Sequence, residues 1–185
     1  CLDLCSYYVY RRYHPEGRRP LLPVYGPKGV AARLARAYDL DPEPGMSGEY
    51  EFHEWSDGQT VRIGELTVTV AAVVHPVTGF AMRLEHEGRV VVYSGDTAPS
   101  ESLVRLAAGA DLLLAEASFH EGRDHAPDMH MTGRQAAASA TKAGVARLVL
   151  THLPPWNDPD RTLREARSTW SGPLALARPG DVFEV

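Results

Sequence analysis

Three apolar runs in this chain end on side chains of the kind that bind metal ions. Val73-Val74 leads to His75, Val91-Val92-Tyr93-Ser94-Gly95 leads to Asp96, and Leu148-Val149-Leu150-Thr151 leads to His152. Neutral imidazole and carboxylate are the expected ligands of Zn²⁺ and similar divalent ions. Each residue taken alone has a plainer reading, a histidine satisfied in a core or turn, or an aspartate closing a turn or capping a helix. The recurrence of one pattern is what points to a common site. It requires the three strands to lie in one sheet with their polar ends at one edge, where a rigid scaffold holds functional groups.

A second constellation follows. Glu116 ends the run Leu112-Leu113-Leu114-Ala115, and His130 stands in Asp128-Met129-His130-Met131-Thr132. A carboxylate that orients a histidine holds it in one tautomer with a raised pKa, as a general acid needs. The alternative is a loop histidine near a helix N-terminus, where the helix dipole disfavours its protonation. His120 and His125 fall in the polar stretch around Glu121-Gly122-Arg123-Asp124 and read as solvated.

The elements that must carry these groups are legible from periodicity and turn residues. Apolar and aromatic groups at helical spacing predict a helix over 2–13, ended by His14-Pro15-Glu16-Gly17. A short strand at Val24-Tyr25 runs into Gly26-Pro27-Lys28-Gly29 and a helix over about 28–38, and the Pro-, Gly- and acid-rich stretch 39–48 reads as a surface loop. Strands are predicted over 60–63, 66–74, 80–86 and 89–93, with hairpin turns at Gly64-Glu65 and Glu87-Gly88. After Asp96 helices alternate with strands: a helix over 100–108, a strand over 110–115, an Ala-rich helix between the capping box Thr132…Gln135 and Gly144, and a strand over 147–151. A helix from Asp158-Pro159 to about Trp170 and strands over 173–177 and 181–185 complete the reading.

Composition sets bounds. With 185 residues, 44% hydrophobic and 23% charged, the chain fits one globular domain with a substantial core. A net charge of −5 argues against a surface built for long nucleic acid. Residues 11–36 are basic, carrying Arg11, Arg12, Arg18, Arg19, Lys28, Arg33 and Arg36 against Glu16, while 39–65 carry eight acids against Arg62. These are two solvated faces, or a basic patch for an anionic substrate. The two cysteines, Cys1 and Cys5, have helical spacing and make no disulfide framework, which suits a reducing, cytoplasmic setting. No run approaches the roughly 18 apolar residues of a membrane span.

The ordered motifs VYGPKG (24–29), VVHPVTGF (73–80), YSGDT (93–97), AEASF (115–119), MHMTG (129–133) and LTHLP (150–154) resemble the metallo-β-lactamase fold, in the branch of ribonuclease Z and related phosphodiesterases. The resemblance implies an α+β fold, a four-layer αββα sandwich, with 1–185 as a single domain. It also implies a dinuclear site for two divalent ions, zinc with manganese as the alternative. His75, Asp96 and His152 would be the third histidine, the bridging aspartate and the last histidine of that site. Glu116 and His130 would be the carboxylate–histidine pair that assists the leaving group, and Gly79-Phe80 the step after the metal histidine.

Two departures carry further expectations. The family's H-x-H-x-D-H motif is absent and by spacing would end directly before Cys1, which does not look like a natural start. The chain therefore reads as the family's C-terminal two-thirds, with an incomplete ligand set and no activity on its own. His75 and Asp96 are only 21 residues apart, leaving a bare hairpin at Glu85-His86-Glu87-Gly88 where ribonuclease Z commonly carries a tRNA-gripping arm. The implied activity is hydrolysis of a small phosphodiester such as a cyclic nucleotide, by a cytoplasmic homodimer with no membrane contact. Transfer-RNA 3′ processing is the rival enzyme reading, with RNA the less favoured partner, and an inactive fragment or scaffold is the third.

Overall fold

Five strands that run in the same direction bring their C-terminal ends to one edge, and His75, Asp96, Glu116 and His152 lie at or just beyond four of those ends. The computed structural model describes residues 2–185, which fall into two compact units, one running to Trp55 and the other from Ser56 to Val185.

The first unit holds α1 (Leu2–Arg12), β1 (Leu22–Gly26), α2 (Val30–Ala37) and β2 (Tyr50–Glu54). β1 and β2 pair in parallel, Leu22 opposite Tyr50 through Gly26 opposite Glu54. The strand β2 is absent from the sequence reading. Its composition, Tyr-Glu-Phe-His-Glu, mixes charge into a short run and masks the pattern. Cys5, Tyr8, Val24, Val30, Leu34, Met46 and Tyr50 form the core, so part of the predicted surface loop 39–48 turns inward at Met46. Cys1 lies outside the described residues, and Cys5 is a buried free thiol.

The basic stretch is largely consumed by this unit's own acceptors. Arg11 is buried and donates from Nε to the Glu49 carbonyl at 3.1 Å, Arg12 meets Glu49 Oε1 at 3.0 Å, and Arg18 donates to the Gly48 carbonyl at 3.0 Å. Arginines committed in this way are poor candidates for holding an anionic substrate.

The second unit holds β3 (Thr60–Ile63), β4 (Leu66–Ala72), β5 (Phe80–His86), β6 (Arg89–Tyr93), α3 (Glu101–Leu106), β7 (Leu112–Glu116), α4 (Gly133–Ala143), β8 (Leu148–Thr151), α5 (Pro159–Arg167) and β9 (Leu174–Leu176). Its seven strands form one mixed sheet in chain order, antiparallel from β3 to β6 and parallel from β6 to β9. Because β5 is antiparallel to both neighbours, β4 and β6 point the same way as β7 and β8. The hairpin joining β5 to β6 is the bare Glu87-Gly88 turn, with φ of 48° and 76°.

Alternate side chains of the sheet, Val92, Leu113, Ala115, Leu148 and Leu150, bury against Leu103 and Ala107 near α3, Ala136, Ala137 and Ala140 of α4, and Ala166 of α5. Small α4 side chains let that helix lie close to the strands. The predicted capping box starts it, with Thr132 N–H donating to Gln135 Oε1 at 2.9 Å, and Gly144 ends it in the left-handed conformation. The expected strand over 181–185 does not form. Val182 is 85% exposed and Phe183 only partly buried, so little apolar burial recruits the segment to the sheet.

Candidate active site

The edge is assembled by hydrogen bonds between loops. The Ala98 N–H donates to the Val74 carbonyl at 2.8 Å, and the Val74 N–H to Thr97 Oγ1 at 3.2 Å, which ties the turn bearing His75 to the turn bearing Asp96. The Ser94 N–H donates to the Leu114 carbonyl at 3.0 Å, and Ser94 Oγ accepts the Glu116 N–H at 3.0 Å, joining the ends of β6 and β7. Gly95 makes the turn, with φ of 61°. A side chain there would stand 2.7 Å from the Phe80 carbonyl oxygen, so the close approach requires glycine.

Glu116 is the hub. Its side chain is fully buried, and its carboxylate accepts the N–H of Thr97 at 2.8 Å, of Ser118 at 3.2 Å and of Met131 at 3.2 Å. The fourth donor is His130 Nδ1, 2.7 Å from Glu116 Oε1. Donation from Nδ1 fixes the tautomer and leaves Nε2 as the nitrogen able to exchange a proton with a ligand. Phe119 packs edge-on against the His130 ring at 5.1 Å between centroids.

The other three candidates surround this pair. His75 and His152 lie with ring centroids 5.5 and 5.3 Å from that of His130. His152 Nδ1 stands 3.3 Å from Asp96 Oδ1, and both side chains are close to half exposed. His152 has a φ of 59°, unusual for a residue with a side chain. Ser118 braces it there, donating from Oγ to the His152 carbonyl at 2.7 Å and accepting from Nδ1 at 2.8 Å.

All five sequence-derived residues thus meet at one edge. Among the described residues, one donor atom each of Glu116, His130 and His152 lies within 4.8 Å of the others. The Glu116 carboxylate already has four donors, three of them backbone groups, which commits it to the protein. Asp96, His75 and His152 offer a carboxylate and two imidazoles that could ligate, beside the free Nε2 of His130, a donor set suited to zinc or a similar divalent ion.

His120 departs from expectation. It is 2% exposed, with Nε2 3.0 Å from Thr162 Oγ1, and burial lowers its pKa. Around it, Asp124 accepts the His120 N–H, and Arg123 reaches Asn157, whose Nδ2 donates to the Ser118 carbonyl at 2.9 Å. Ion pairing with Arg123 holds the Asp124 carboxyl below its ordinary range. His125 is exposed, as expected. Ser118 and its support escaped the sequence reading; their signal lay inside AEASF, beside the more reactive Glu116.

A mixed sheet whose parallel strands end on a carboxylate–histidine pair and metal-type donors defines a metallohydrolase-like centre. The Beta-lactamase superfamily domain matches residues 10–153, and the chain belongs to that superfamily and has the metallo-β-lactamase fold. It is 37% identical over 190 residues to an uncharacterized protein of Mycobacterium tuberculosis, covering all of this chain and 69% of that protein. It is 31% identical over 167 residues to the probable metallo-hydrolase YhfI of Bacillus subtilis, across 88% of this chain and 64% of the relative. The crystal structure of YhfI superposes with a TM-score of 0.83 at 27% identity, covering 99% of this chain and 72% of that one. Ribonuclease Z of Myxococcus xanthus is 41% identical over 223 residues, across 91% of this chain and 72% of the relative. That alignment is longer than this 185-residue chain, so the ribonuclease has inserted segments that this chain lacks. Among the described residues, no helix is long and apolar enough to cross a membrane. The protein is a hydrolase of the metallo-β-lactamase superfamily.

Proposed function

We propose that the protein hydrolyses a small phosphodiester, such as a cyclic nucleotide, at a dinuclear zinc-type centre, with manganese as the alternative metal. The observation that carries this reading is the buried Glu116–His130 pair beside the Asp96–His152 contact, an acid and a metal-type donor set at one edge. His75, Asp96 and His152 would be this chain's own ligands to the ions. The ions supply Lewis acidity and lower the pKa of bound water.

The chain's own groups complete the chemistry. His130, held by Glu116 through Nδ1, gives its proton from Nε2 to the departing alkoxide. Glu116, saturated by backbone donors, keeps the ring in place and offsets the charge of the imidazolium. Ser118 keeps His152 Nδ1 engaged, so that Nε2 is the unprotonated nitrogen that ligates. The bare β5–β6 turn favours a compact substrate over transfer RNA. The ribonuclease Z relative supports phosphodiester chemistry and keeps tRNA 3′ processing as the second reading. We also infer that the working form is a cytoplasmic homodimer.

The test is turnover of bis-p-nitrophenyl phosphate and cyclic AMP by the intact, zinc-loaded protein, with D96A as the control. Loss of activity in D96A is the expected result, and equal turnover would sink the assignment. Tight, salt-dependent binding of precursor tRNA would favour the second reading.

A further inference from the structure

A tryptophan stands almost bare beside the site. Trp156 is 76% exposed, in the short turn that follows His152. Together with Phe119, Met129 and Pro154 it lines a pocket of about 270 Å³ whose remaining wall includes His130 and His152. A large aromatic left in water costs hydrophobic free energy, and an exposed aromatic beside a reactive centre is typical of a binding surface.

The pocket's polar groups narrow the ligand's chemistry. Arg123 and Asp124 also line it, but they pair with each other, and Arg123 reaches Asn157 at 2.8 Å. The Ser118 hydroxyl is engaged by the His152 carbonyl and ring. Donors and acceptors bound in this way are poorly placed to read the hydroxyls of a sugar. What remains free is a flat π surface, a thioether and a proline ring, which suit an aromatic heterocycle. Bases of any identity stack on such a surface, because every base has a π face.

Resting on the phosphodiesterase reading above, we propose that this pocket is the nucleobase subsite of the substrate, with Trp156 as its stacking platform. A base seated there would place its sugar and phosphate toward His130 and His152, on the pocket's own wall. The substrate class is then a mononucleotide diester rather than a base-free phosphodiester.

The experiment compares cyclic AMP with glycerol 1,2-cyclic phosphate, a cyclic diester without a base, using the intact zinc-loaded protein. In W156A the ratio of kcat/KM for cyclic AMP to that for the glycerol diester should fall about tenfold, the scale of one lost stacked base, with the change in KM. W156F should recover most of the ratio, since a phenyl ring still stacks. An unchanged ratio in W156A would overturn the proposal while leaving the phosphodiesterase reading intact. Should the protein turn over neither diester, that reading fails and fluorescence decides the subsite. Saturable quenching by AMP but not by ribose 5-phosphate, lost in W156F, would sustain the subsite, and absence of quenching would overturn it.

Discussion

Glu116 Oε1 lies 2.7 Å from His130 Nδ1, while the same carboxylate accepts the N–H groups of Thr97, Ser118 and Met131. One buried side chain therefore closes three loops and orients one histidine, and its structural and chemical roles separate by substitution. H130A removes the ring but leaves the loops tied, so kcat should fall about 10²–10⁴-fold with the fold intact. E116A leaves three buried N–H groups without their acceptor, each costing about 1–3 kcal/mol. Urea denaturation should show a large loss for E116A and a small one for H130A. Zinc content unchanged in H130A would separate an acid from a ligand, and loss of stoichiometric metal there would reassign His130 to the metal shell.

Ser118 acts on His152 through two contacts, one to the ring and one to the carbonyl of a backbone held at positive φ. Removing a group that orients a metal-bound histidine typically costs 10–100-fold in affinity. S118A should weaken zinc binding by that order in competition with a chromogenic chelator, and S118T, which keeps the hydroxyl, should restore it. Equal zinc affinity in S118A would show that His152 is held by its own backbone alone.

The convergence of His75, Asp96 and His152 on one edge was legible in the sequence because each of them follows a strand with a clear apolar pattern. Val91-Val92 and Leu148-Val149-Leu150 announce their strands, and one polar residue beyond each strand is easily noticed. What a single strand cannot display is direction. Only the antiparallel passage through β5 makes β4 and β6 co-directional and brings His75 to the edge that Asp96 occupies. His120 was misread for a related reason. Its neighbours Glu121 to Asp124 are polar, yet its burial comes from Thr162 on α5, 42 positions away. Tyr50–Glu54 was missed because its pairing with β1 is parallel and remote in sequence, and its interleaved charges hide the apolar pattern. Long-range pairing decides each of these cases, and local composition carries none of it.

Gly95 joins β6 to Asp96 through a left-handed turn that faces the Phe80 carbonyl. G95A places a methyl group 2.7 Å from that oxygen and forces an unfavourable φ, so stability should fall by about 1–3 kcal/mol. The displaced turn also carries Asp96, and zinc affinity should fall with it. Thermal unfolding with a parallel metal titration checks both effects. A variant that loses stability but keeps full metal affinity would separate the turn from the site.

Metal and fold should be linked in one direction. If His75, Asp96 and His152, which follow β4, β6 and β8, hold ions, loading should favour the folded state by mass action. Chelation should lower Tm and excess zinc should restore it, with the shift abolished in D96A. A Tm indifferent to zinc in the wild-type protein would count against these donors as the metal shell.

Acid should expose the buried histidine. Burial lowers the His120 pKa in the fold, so on acidification the unfolded chain, near the ordinary value of about 6.5, takes up the proton first. Stability should then fall as pH drops below about 6.5 and continue to fall until the folded-state pKa is passed. Asp124 adds to this at lower pH. Its carboxyl is depressed by Arg123, so the stability it contributes is present above the ordinary carboxylate pKa and is lost as pH falls through the folded value. H120N keeps a polar side chain beside Thr162 without a group that titrates in this range. Urea unfolding of the wild type and H120N between pH 7.5 and 5.0 should show a slope that the variant lacks. The same slope in both proteins would show that His120 is not its source.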